Sequence, residues 1–135
     1  MTKNNKKHFH SQSIETQAIH SGRIDDEQFG SLATPLYQTS TFIFDNAQQG
    51  ADRFAGQSDG FIYTRLGNPT TRQLEMRVAA MEGMEEAAAT ATGMAAVSAA
   101  LLTNLQAGDH LISSKAVYGC SFALMNHMLK KFGIE

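Results

Sequence analysis

The sequence predicts an α/β fold built on a parallel sheet covered by helices, and three observations point that way. Strand-like and helix-like segments alternate after Asn68, and the helical segments carry apolar residues at a 3.6-residue period. The final residues, Ile134-Glu135, stand where a third strand begins. Two short strands do not make a stable parallel sheet, because such sheets need neighbours on both edges and cover on both faces. The fold class expected is therefore α/β and incomplete, with the chain stopping in mid-fold.

Taken in order, residues 1 to about 60 show little sustained periodicity. Turn residues are spread through Ser21-Gly22, Asp25-Asp26, Gly30-Ser31, Gly50 and Gly56. So long a connection without regular elements is uncommon inside a compact domain, and residues 1–60 read as an extended arm lying on something else. Tyr37 to Phe44 is a strand-like patch within it. At Asn68 the pattern changes: Asn68 is an N-cap, Pro69 suits the first helical position, Leu74, Val78 and Met81 recur at helical spacing, and Gly83 supplies the stop. Glu86 to Ala91 reads as a short strand and Gly93 to Leu105 as a helix with Met94, Val97, Leu101 and Leu105 on one face. After the turn Gln106-Ala107-Gly108-Asp109, His110 to Ser114 reads as a second strand. Ser121 to Phe132 follows as a helix with Phe122, Met125, Leu129 and Phe132 inward, and with Lys130 and Lys131 where the dipole favours cations. Residues 61–135 are accordingly the start of an α/β domain.

Composition narrows the function classes. The 135 residues carry a net charge of −2 and a pI near 6.2, with no basic run interleaved with aromatics, which argues against a nucleic-acid partner. The lysines at positions 3, 6 and 7 are not followed by an apolar run, so no secretory signal is read, and no segment approaches membrane-spanning length. The one cysteine, Cys120, suits a reducing cytoplasm. The five histidines show no metal-ligand spacing, and His8 and His10 belong to a polar tail.

Three short motifs carry chemistry. In Tyr63-Thr64-Arg65-Leu66-Gly67-Asn68-Pro69-Thr70, an arginine beside a tyrosine suits a planar fork gripping phosphate oxygens. A surface pair accounts for the same two residues equally well. In Ala91-Thr92-Gly93-Met94-Ala95-Ala96, a glycine opens an apolar helix, so free amides and the positive helix end face whatever sits there. A tight turn is the plainer reading. The motif lacks the lysine of a P-loop and the spacing of a dinucleotide fingerprint, which disfavours ATP and NAD. In Val117-Tyr118-Gly119-Cys120-Ser121, Tyr118 is either a core aromatic or a loop ring that stacks on a ligand. Cys120 is either a small packed residue or a perturbed thiol. Taken together, the motifs suggest a cofactor that is both phosphorylated and aromatic.

With these residues in hand, the chain resembles the Cys/Met-metabolism (trans-sulfuration) family of pyridoxal 5'-phosphate enzymes, which includes cystathionine synthases and lyases, O-acetylhomoserine sulfhydrylases and methionine γ-lyases. The resemblance runs from Glu15-Thr16-Gln17-Ala18-Ile19-His20 through Pro35-Leu36-Tyr37-Gln38-Thr39-Ser40-Thr41-Phe42 to Glu135, covering about the first third of an enzyme subunit. It implies a fold-type I, aspartate aminotransferase-like architecture and a dimer-built homotetramer. In it Tyr63 and Arg65 would hold the phosphate of a neighbouring subunit's cofactor, and Gly93 and Met94 would offer amides to the chain's own. Tyr118 would stack on the pyridine ring and donate a proton to the leaving group. Tyr118-Gly119-Cys120 is similar to the methionine γ-lyase branch, where a cysteine lies near a sulfur amino-acid substrate; Phe54-Ala55-Gly56 and Lys131-Phe132-Gly133-Ile134 suit that branch too. Thr92 stands where a serine is usual, and Thr34-Pro35 where Pro-Pro is common. The resemblance also implies that the Schiff-base lysine, the aspartate facing the pyridinium nitrogen and the arginine for the substrate carboxylate lie beyond Glu135. Lys115, Lys130 and Lys131 are not in that lysine's context and read as solvated charges.

Overall fold

The structure, a computed structural model, describes residues 12–135. The basic and histidine-bearing stretch up to His10 lies outside them. The described chain falls into two units, residues up to Ala88 and residues from Ala89 onward.

The first unit begins with α1 (Ile14–His20), capped by Ser13, whose hydroxyl accepts from the Thr16 amide. Gly22 follows with φ 65°, and an added Cβ there would stand 2.5 Å from the Arg77 amide nitrogen and 2.9 Å from the Gln73 carbonyl oxygen. The chain therefore passes hard against α3 (Pro69–Glu82), where the Arg77 Nε donates to the Ser21 carbonyl over 3.0 Å. A second helix, α2 (Ala47–Phe54), is capped by Asn46. Arg53 lies over the Phe44 ring at 5.6 Å, and its guanidinium donates to the Phe61 carbonyl over 3.2 Å. Phe44 meets Phe54 edge-on at 6.4 Å and Phe42 meets Phe61 at 5.5 Å. These rings pin α2 to the backbone that leads into Tyr63. The segment read as irregular thus holds two short helices, each started by a side-chain cap that a search for long periodic runs overlooks.

The Tyr37–Phe44 patch does pair. Thr41 and Tyr63 form an isolated antiparallel bridge, with the Phe42 amide donating to Ile62 over 3.1 Å and the Thr64 amide to Ser40 over 2.8 Å. α3 starts and stops where expected, at the Asn68 cap and at Gly83 with φ 67°. Its predicted inward face differs: Leu74 and Val78 are exposed, while Gln73 and Ala79 are buried. α1 is the helix that packs on α3 within the unit, and it covers the polar side of the stripe.

In the second unit α4 spans Gly93–Asn104, and Met94, Val97, Leu101 and Leu105 are all half-buried among mostly exposed neighbours, as their spacing predicts. The last helix starts as α5 (Gly119–Ala123), widens into a π turn over Leu124–Met128 and tightens to a 3₁₀ turn over Leu129–Phe132. Leu129 is buried and Met125 half-buried, but Phe122 and Phe132 are exposed, against expectation. Changing from i→i+4 to i→i+5 and then i→i+3 bonding breaks the even 3.6-residue stripe on which the prediction rests.

No β-strand forms among the described residues, which corrects the strands expected at Glu86–Ala91 and His110–Ser114. A strand exists only through a ladder, and the alanine-rich Glu86–Ala91 has weak strand propensity. His110 has the beginning of one: the Glu135 amide donates to Asp109 over 2.9 Å, the Leu111 amide donates to Glu135 over 2.5 Å, and the Gly108 amide donates to Gly133 over 2.8 Å. Those bonds run in parallel register, the pairing expected when Ile134-Glu135 begins a neighbouring strand.

Candidate functional site

In the first unit Tyr63 and Arg65 come together. The Arg65 guanidinium lies 5.4 Å from the centre of the Tyr63 ring, and both side chains are open to solvent. A cation over a ring face is held without losing its donors, so the fork remains free to meet an anion. The Tyr63 carbonyl accepts from the Leu66 amide at 2.8 Å and the Gly67 amide at 3.1 Å, closing a tight turn around Arg65. Asn68, 4% exposed, anchors that turn to α3 and to the Tyr37 strand-like segment. In sequence Asn68 reads as a helix cap and nothing more, because Tyr37, the acceptor that ties it to the strand-like segment, lies 31 residues away along the chain.

In the second unit the start of α4 and the start of α5 meet. The Thr92 hydroxyl accepts from the Ala95 amide at 3.1 Å, and the Thr92 carbonyl accepts from Ala96 at 3.1 Å. The Gly93 and Met94 amides have no partner among the described residues, and a Cβ added at Gly93 would meet nothing within 4 Å. The helix therefore presents free N–H groups on an open approach, where its dipole favours negative charge. The Met94 sulfur sits 3.6 Å from the Ser121 hydroxyl, tying this end of α4 to α5. The sequence places Ser121 in the third motif without a partner, because a serine next to a cysteine carries no signal of a contact 27 residues away.

Tyr118 occupies the cap position of α5 with its ring 69% exposed, so it is not a core aromatic. Cys120 is exposed too, which removes the reading of a small packed residue. A hydrogen bond with Cys120, reinforced by the charge of that thiol when ionised and by slight desolvation, raises the Tyr118 phenol above its ordinary value of 10.0. The phenol and the thiol therefore stand side by side at the start of α5, both open to solvent. Among the described residues no group of three or more His, Cys, Asp or Glu is placed to hold a metal ion, and no helix is long and apolar enough to cross a membrane.

Each unit therefore exposes donors suited to an anion, and the second adds an aromatic ring and a protonated phenol beside a thiol. Known proteins are similar to this chain in sequence and in backbone. The chain is 58% identical over 122 residues to an L-methionine γ-lyase of Fusobacterium nucleatum subsp. polymorphum, covering 90% of this chain and 31% of that one. It is 52% identical over 120 residues to an L-methionine γ-lyase of Porphyromonas gingivalis, covering 89% and 30%. Among solved structures, an O-acetylhomoserine (thiol)-lyase of Campylobacter jejuni, which contains N'-pyridoxyl-lysine-5'-monophosphate, superimposes with a TM-score of 0.84 at 40% identity over 92% of this chain and 30% of its own. The chain thus spans about 30% of the length of the curated relatives it matches. The fold is that of the fold-type I pyridoxal phosphate enzymes. Residues 15–135 match the family described as Cys/Met metabolism PLP-dependent enzyme, and the chain belongs to that family.

Proposed function

We propose that this chain supplies the phosphate-binding and leaving-group side of a pyridoxal 5'-phosphate-dependent carbon–sulfur lyase whose substrate is L-methionine. The overall reaction takes methionine and water to methanethiol, 2-oxobutanoate and ammonia by α,γ-elimination. The observation that carries the reading is the exposed Tyr118 ring and hydroxyl at the start of α5, beside the exposed Cys120 thiol and in the same unit as the open Gly93 end of α4. The resemblance of the chain to two L-methionine γ-lyases at more than half identity supports it.

The residues fit the cofactor on their own terms. The unpartnered Gly93 and Met94 amides and the open space at Gly93 suit a phosphate. The exposed Tyr118 face suits a flat heteroaromatic ring. When bound, pyridoxal phosphate supplies an electron sink for carbanion chemistry. What the chain's own groups do is simpler. Gly93 and Met94 orient the phosphate, Tyr118 packs on the ring and delivers its proton to the departing thiolate sulfur, and Cys120 stays beside the substrate and holds the Tyr118 hydroxyl in the donating orientation. Tyr63 and Arg65 grip the phosphate of a cofactor belonging to a neighbouring copy, with residues 1–60 as the arm that reaches it and 61–135 as the start of the cofactor domain. On this reading the working unit is a homodimer, paired into a tetramer, in the reducing cytoplasm that one unpaired cysteine suits. No lysine of this chain is assigned the cofactor's aldehyde, so activity belongs to the polypeptide that carries one, and the 135 residues alone are expected to be inactive.

Incubation of that polypeptide with L-methionine is expected to release methanethiol and 2-oxobutanoate in equal amounts. Absence of both, with turnover of O-acetylhomoserine and a thiol instead, would move the assignment to a sulfhydrylase, the reading favoured by the Campylobacter jejuni likeness.

A further inference from the structure

We propose that Asn68 is a positioning residue for the Tyr63–Arg65 pair, its side-chain amide clipping the loop that carries them to the Tyr37–Thr41 segment. The pair's role as a phosphate grip rests on the function proposed above; the clip itself rests on the geometry of this chain.

Asn68 makes more bonds than a helix cap requires. Its Oδ1 accepts from the Thr70 amide at 2.9 Å, which completes the cap. Its Nδ2 then donates twice, to the Tyr37 carbonyl at 2.9 Å and to the Thr64 hydroxyl at 3.0 Å. Thr64 stands between Tyr63 and Arg65, and its hydroxyl in turn donates to the Thr39 carbonyl. Thr70 repeats the arrangement one step along: its hydroxyl donates to the Pro35 carbonyl over 3.1 Å and accepts from the Tyr37 amide over 3.0 Å. Serine, aspartate and threonine all cap helices well, yet none offers two N–H donors from one buried atom. The asparagine is therefore accounted for by the loop, not by the helix. Buried at 4% exposure, its two N–H groups have no water to fall back on, so the loop and the strand-like segment are held in one arrangement. The side chains of Tyr63 and Arg65 are themselves exposed and meet each other as a cation over a ring.

The test separates cap from clip in the full chain. Asn68→Ser keeps a neutral capping oxygen and removes both donors; Thr64→Val removes the bridging hydroxyl; Thr64→Ser restores it. Amide hydrogen exchange at Phe42 and Thr64 reads the loop, and at Arg72, whose amide donates to the Asn68 carbonyl over 2.8 Å, reads the helix. Asn68→Ser and Thr64→Val are expected to speed exchange at Phe42 and Thr64 by about tenfold or more, the factor one lost buried hydrogen bond supplies. Arg72 should be unchanged, and Thr64→Ser should behave as the parent. Titration with pyridoxal 5'-phosphate is expected to weaken by a similar factor in the same two variants. Unaltered exchange at Phe42 and Thr64, or an equal increase at Arg72, overturns the proposal. If the parent chain shows no saturable pyridoxal 5'-phosphate binding while the exchange pattern holds, the phosphate-grip reading of Tyr63 and Arg65 falls and the positioning role of Asn68 stands.

Discussion

The two units of the chain expose their chemistry-bearing groups on supports of very different tightness. In the first, Gly22 presses on the α3 backbone, Asn68 is buried and fully bonded, and aromatic rings lock α2 beside the entry to Tyr63. In the second, neither α4 nor α5 has a buried residue, and the Gly93 and Met94 amides and the Tyr118 ring face open space. The first unit directs long side chains, which have many rotamers, so the backbone under them must be fixed. The second presents backbone amides, whose direction is set by the helix itself, and a capping hydroxyl at Thr92 is enough. An arginine needs a rigid loop; a helix end carries its own geometry.

The largest effect expected is at the tight end of this contrast. Gly22→Ala puts a methyl group 2.5 Å from the Arg77 amide at a left-handed φ, and the surroundings are backbone, which cannot swing aside. A loss of about 3 kcal/mol of unfolding free energy is expected, from overpacking and strain combined, measurable by denaturant titration. Tolerance of this change within about 0.5 kcal/mol would mean that the α1–α3 contact is loose and the contrast between units is false.

The matching change at the open end is Gly93→Ala. No atom lies within 4 Å of the added methyl, and alanine is the better helix former, so stability should hold or rise by up to about 1 kcal/mol. Affinity for pyridoxal 5'-phosphate should nevertheless fall by about tenfold, because the methyl enters the space through which an anion reaches the amides. Equal affinity in the two proteins would remove Gly93 from the site.

A smaller effect sharpens the chemistry of the second unit. Cys120→Ala takes away the hydrogen bond that raises the Tyr118 phenol, so the phenol is expected to titrate closer to 10.0, at lower pH than in the parent. The sign follows from the shift: a raised folded value stabilises the chain below about pH 10 and the contribution disappears as pH rises through the folded value. Near-ultraviolet titration of the parent and Cys120→Ala proteins, each compared with a Tyr118→Phe version, isolates this one phenol from the other two tyrosines. Identical Tyr118 titrations in the two would leave Cys120 without a part in holding the proton.

Local rules made much of this molecule legible. Asn68, Pro69 and Gly83 bound α3 because capping and left-handed stops act within a few residues of where they are written. The half-buried face of α4 follows from spacing alone, and Gly93 is visible as the opening of that helix, whereas the last helix begins at Gly119, ahead of the Ser121 start read from sequence. Tertiary structure decided what local rules do not reach. Whether Glu86–Ala91 becomes a strand depends on a neighbour to pair with, and whether Leu74 or Gln73 faces inward depends on which helix lies across α3. The departure of Phe122 and Phe132 from the core comes from a π turn that a 3.6-residue template does not contain. The bond from Asn68 to Tyr37 likewise depends on distance in space: a hydrogen bond needs its partner within about 3 Å, and only the folded chain brings Tyr37, 31 residues away in sequence, to that distance from Asn68.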